Sequence, residues 1–156
     1  MTILVALLPI AYILHCFEEF VLPGNFIDWY HTYRPSLSKQ TPKYYLKVNV
    51  VGFSIILVIS ISVQYFHMSY NSFLISATFL ANNAIFTHIL GSIKTRKYSP
   101  GVITGVFLYL PICIAGYILG VQHSLIGPSD ILSDILEGSL YEIWNIYKSK
   151  KKINLA

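Results

Sequence analysis

The stretch ILVALLPIAYILHCFEEFVL, residues 3–22, decides the fold. At about 1.5 Å of rise per residue, a helix of this length matches the ~30 Å hydrocarbon core of a bilayer. The run is apolar apart from His15, Glu18 and Glu19 near its end. A charged side chain at a bilayer centre costs roughly 2.5–3.5 kcal/mol on insertion scales, so three chargeable groups in one span mark a site. Glu18 and Glu19 follow His15 at i+3 and i+4. At that spacing all three heads can reach one pocket beside the helix.

Composition gives the same class by an independent route. The chain has 156 residues, 54% of them hydrophobic and 12% charged, too little polar surface for a soluble globule of this size. No carboxylate occurs between Trp29 and Ser129, a segment suited to lipid. The net charge of +4 raises the question of nucleic acid, but the basic residues fall in clusters beside apolar runs: Arg34 to Lys47, Lys94 to Lys97, and Lys148 to Lys152. That is the footprint of membrane topology, and no nucleic-acid partner is expected. The first helix lacks a basic leader and carries its polar motif where a cleavage site would sit, so it is expected to stay in the mature chain. Cys16 and Cys113 lie in apolar segments with no CxxC pattern and read as buried thiols.

The predicted architecture is all-α, a polytopic transmembrane bundle forming one domain over 1–156. Helices are expected at about 3–22, 44–66, 72–93, 102–121 and 131–147, with a short interfacial helix at 26–33 where Phe26, Trp29, Tyr30 and Tyr33 recur at roughly helical spacing. The tight link His67 to Asn71 makes the second and third helices a hairpin. The fourth carries Gly101/Gly105 and Gly116/Gly120 with Pro111 between them, which predicts close packing, a central position and a kink. The last segment is ambiguous. Leu132, Leu136, Leu140, Ile143 and Tyr147 form an apolar stripe beside Asp134, Glu137 and Glu142, so it either crosses or lies in the interface. Positive-inside counting favours five crossings, with the N-terminus outside and the basic loops cytoplasmic.

On that topology, His15, Glu18 and Glu19, Asn49, His88 and Thr104 come from four helices at one depth. Carboxylates there without Lys or Arg must be protonated, paired with histidine or bound to a cation. His15, Glu18, Glu19 and His88 make a mixed nitrogen and oxygen set suited to a divalent metal, zinc, iron or manganese. Taken alone, His88 is equally a satisfied core histidine. Asn49 is expected to line the pocket. Asn82 and Asn83 lie round the helix from His88 and read first as interhelical hydrogen-bonding groups. Tyr98-Ser99-Pro100-Gly101 reads first as a turn and helix start.

The motif His15, Glu18 and Glu19, the stretch from Asn82-Asn83 to His88, and Tyr98-Ser99-Pro100-Gly101 followed by Thr104 and Pro111 resemble a family of small bacterial integral membrane proteins named for an HxxEE motif. The resemblance implies a membrane fold and a site, and it names no reaction. The residue pattern nominates His15, Glu18, Glu19 and His88 for the chemistry and Asn49, Asn82, Asn83, Tyr98 and Thr104 as residues to contact substrate. The chain lacks HExxH, a glycine-rich phosphate loop and GxSxG. What is left is acid–base work by glutamate and histidine, or single-metal catalysis, on a lipid- or isoprenoid-like molecule in the bilayer. A proton or metal-ion transport module and a non-catalytic accessory bundle are the alternatives.

Overall fold

A computed structural model describes residues 2–153, with side chains described as far as Trp144. Among the described residues it is all helix and no strand. The order is α1 (Thr2–Phe20), α2 (Phe26–Tyr33), a 3-10 turn (Pro35–Leu37), α3 (Pro42–Tyr65), α4 (Tyr70–Thr95), α5 (Val102–Gln122) and α6 (Pro128–Ile153). Helices α1, α3, α4 and α5 are long and apolar enough to cross a membrane, whereas α6 is not among them. The side chains of Tyr147 and of the basic cluster Lys148–Lys152 lie outside those described.

The helix starts follow local chemistry. Thr41 accepts a hydrogen bond from the Tyr44 amide ahead of Pro42, and Ser69 accepts one from the Asn71 amide at the start of α4. Asp130 accepts one from the Gly127 amide beside Pro128, where α6 begins. Helix α4 ends with Arg96 in the left-handed region, at φ 53°.

The core gathers on α4, through Phe73, Leu74, Ala77, Leu80, Ala81 and Ala84. Helix α1 adds Val5, Leu8, Ala11 and Tyr12, and α5 adds Tyr109, Ile112 and Cys113. The expected central place of the glycine-bearing fourth helix therefore passes to α4. The reason is α6, which covers the side of α4 that α5 leaves open. Gly105 does serve close approach, facing Ala84 of α4, and Gly116 faces Phe73 and Leu74.

Both α4 and α5 widen into π-helix, over Ala84–Ile89 and Gly105–Tyr109. In α5 the cause is Pro111, which has no amide hydrogen for the carbonyl four residues back, Phe107, and whose ring crowds it. No proline or glycine lies within Ala84–Ile89, so that widening lacks the local cause that Pro111 supplies in α5. The two π segments meet where a Cβ on Gly105 would lie 2.9 Å from that of Ala84.

Helix α6 lies along α4 in the same direction. Asn71, at the start of α4, bonds Asp134; a turn further on Gly138 packs on Thr78, and Asn82 donates to Ser139 Oγ at 2.8 Å. Beyond this, Glu142 reaches Arg34 at 4.0 Å. The helix is amphipathic inside out: Asp134 and Glu142 are 1% and 4% exposed, whereas Leu132 and Leu140 are 63% and 61% exposed. Of the three acids beside the apolar stripe, Asp134 and Glu142 face the bundle, and Glu137 faces outward.

Candidate functional site

The two glutamates of the motif diverge. Adjacent residues on a helix point about 100° apart, and α1 directs Glu18 to the start of α5 and Glu19 between two histidines. Glu18 accepts hydrogen bonds from the Ile103 amide (3.1 Å), the Thr104 amide (2.7 Å), the Thr104 hydroxyl (2.6 Å) and the Tyr98 hydroxyl. It thus caps α5 from another helix, satisfying amides that have no partner within α5, with its charge at the positive end of the helix dipole. Burial and the bond to Glu18 hold the Tyr98 hydroxyl above its ordinary value, so Tyr98 stays a proton donor. A helix terminus is a means of neutralising a buried carboxylate that the residue pattern alone does not reveal.

Glu19 Oε1 lies 3.4 Å from His15 Nε2 and 3.4 Å from His88 Nε2. One ligand atom from each of these three buried residues falls within 4.8 Å of the other two. The imidazole rings meet edge to face, centroids 4.8 Å apart. Gly101 makes this approach possible: it sits at φ +100°, and a Cβ there would come 2.5 Å from His88 Cε1 and 2.8 Å from His15 Cε1.

Hydroxyl groups behind the rings fix how they present themselves. Thr104 Oγ1 lies 2.8 Å from His15 Nδ1 and gives its own proton to Glu18, so it accepts from Nδ1–H. Neutral His15 then carries its lone pair on Nε2, facing Glu19. His88 has a similar partner, with Nδ1 2.9 Å from Ser99 Oγ. Partners of this kind orient metal-binding histidines and fix their tautomer. Among the described residues no lysine or arginine forms an ion pair with Glu18 or Glu19.

The other expected site residues divide. Thr104 joins the two halves of the site. Asn83 reaches His88, with Nδ2 3.5 Å from Nε2. On a regular α-helix residues five apart point about 140° away from each other, and the π segment Ala84–Ile89 removes most of that offset. Asn49 instead accepts from Tyr12 OH at 3.0 Å and from Cys16 Sγ at 3.5 Å, tying α3 to α1. Asn82 ties α4 to α6. Gly101, expected with Gly105 to let the fourth helix close the pocket, does lie against both rings. Ser99 enters the sequence reading only within the turn motif, and Trp29 and Tyr109 are not marked there as site residues. Trp29 stacks on His88 at 6.1 Å and 10°, so α2 covers the His88 ring. Tyr109 is fully buried against His15, centroids 4.7 Å apart, and its hydroxyl has no hydrogen-bond partner among the described residues.

Fold and site together define a small helical protein with four membrane-length helices around a buried centre of two histidines and a glutamate. The chain belongs to the family described as proteins of unknown function with an HXXEE motif, whose family model matches residues 6–116. Those residues include the motif, His88, Ser99, Thr104 and Tyr109. Comparison with curated proteins and with solved structures found no match.

Proposed function

We propose that this chain is an intramembrane enzyme that binds one divalent metal through His15 Nε2, His88 Nε2 and Glu19 and acts on a lipid- or isoprenoid-like molecule. The observation that carries this reading is the convergence of three buried ligand atoms within 4.8 Å, with each imidazole held at Nδ1 by a hydroxyl. Two imidazoles and a carboxylate suit zinc, iron or manganese, and three protein ligands leave a position open for reaction. A metal there would act as a Lewis acid or activate water. Without one, Glu19 between two histidines remains an acid–base pair. Glu18 serves the site indirectly, by fixing Thr104 and through it the His15 tautomer.

The proposed setting is the cell membrane, with the N-terminus outside, the Arg34–Lys47 and Lys94–Lys97 loops cytoplasmic, and α6 as a fifth crossing. The outward apolar face of α6, its inward Asp134 and Glu142, and its run along α4 to Arg34 support a helix with lipid on one side. A second reading, proton or ion transport, draws on a polar seam away from the centre. There Thr78 Oγ1 lies 2.9 Å from Tyr117 OH, and Asp134 Oδ2 has no hydrogen-bond partner.

Elemental analysis of the purified protein beside Glu19→Gln tests the metal reading. A stoichiometric transition metal in the parent and its loss in the variant is the expected result. Equal metal content in both, or none in the parent after loading, would rule the site out.

A further inference from the structure

Building on the metal reading, we propose that the open position of the centre takes a monoanionic oxygen ligand, and that Tyr109 donates the hydrogen bond that holds it. Charge is the first argument. A divalent ion on two neutral imidazoles and one carboxylate keeps a net charge of about +1 by formal count, and Glu18 is fully engaged by four donors of α5 and its approach. The surrounding groups are aromatic and apolar: Phe26 and Trp29 lie on His88, and Tyr109 on His15. An uncompensated charge in such surroundings is strongly disfavoured, so a neutral ligand or a dianion fits less well than a single negative charge.

The second argument is Tyr109 itself. Among the described residues it is the largest fully buried side chain, its ring packs on His15 with centroids 4.7 Å apart, and its hydroxyl has no hydrogen-bond partner there. His15 Nε2 is likewise without a hydrogen-bond partner. Buried polar atoms in folded proteins are almost always satisfied, and two orphans on rings packed 4.7 Å apart point to a ligand that satisfies both. A metal at His15 Nε2 carrying an oxygen anion under the Tyr109 hydroxyl does so. Two sources supply that chemistry: a hydroxide from water, or the carboxylate of an apolar acid entering from the bilayer.

The test uses the full-length protein loaded with cobalt(II), whose visible bands report its ligands. Acetate and octanoate are titrated separately into the parent, Tyr109→Phe and Tyr12→Phe. The Tyr12 hydroxyl already has its partner in Asn49 and serves as the control. The expected result is that carboxylate shifts the parent bands, that Tyr109→Phe keeps its cobalt but binds carboxylate roughly 10- to 100-fold more weakly, and that Tyr12→Phe matches the parent. Octanoate binding tighter than acetate assigns the ligand to an apolar acid, and equal binding assigns it to a solvent-sized anion. Unshifted parent bands, parent-like affinity in Tyr109→Phe, loss of cobalt from that variant, or an equal loss of affinity in Tyr12→Phe each overturns the proposal. A parent that takes up no cobalt removes the metal reading itself, a result distinct from all of these.

Discussion

At the scale of single residues, Glu18 and Glu19 show how little adjacency says about role. Glu18 holds the amide end of α5, and Glu19 sits between two imidazoles. Their amide variants should therefore fail differently. Glu18→Gln replaces a charged acceptor of four hydrogen bonds and should cost about 2 kcal/mol, lowering the Tm in detergent by roughly 4–8 °C for a chain of this size, while metal binding largely survives. Glu19→Gln should empty the centre and change the Tm of the metal-free protein little. Parallel melting and metal assays separate the two, and identical behaviour of both variants would refute the division of labour. The residue pattern marks both carboxylates and gives no means of assigning them, because the difference rests on which neighbour lies at 100° rather than 0° round α1.

At the scale of elements, the join between α4 and α5 assembles the site. The π segment in α4 turns His88 and Asn83 to one side, Pro111 opens the facing π segment in α5, and Gly101 lets α5 start against both rings. Gly101→Ala should combine left-handed strain with a clash against His15 and His88, costing about 2 kcal/mol and abolishing metal uptake. A variant with parent stability and parent metal content would contradict this geometry. The helices themselves were legible from hydropathy, since lipid-length apolar runs leave few alternatives. The π segments were not. A shift from i→i+4 to i→i+5 bonding leaves no mark on hydropathy, so regular α-helical spacing puts Asn83 away from His88 and gives no reason to mark Tyr109.

At the scale of the whole molecule, α6 is the element whose reading depends on its surroundings. Its sequence carries too many acids for an apolar span, yet Asp134 and Glu142 turn inward while the leucines turn out. Only the packing on α4 reveals which side each stripe faces. If α6 crosses, single cysteines at Ser38 and Ser149 should label from the same face of sealed membrane vesicles, and labelling from opposite faces would return α6 to the interface. The central claim is that the four long helices exist around one metal held by His15, Glu19 and His88. X-ray absorption at the metal edge of the loaded protein tests it most directly. The account predicts two imidazole nitrogens and carboxylate oxygen at about 2.0–2.2 Å, with the imidazole scattering reduced in His15→Ala and His88→Ala. A spectrum with no imidazole scattering, or one that neither variant alters, would contradict it.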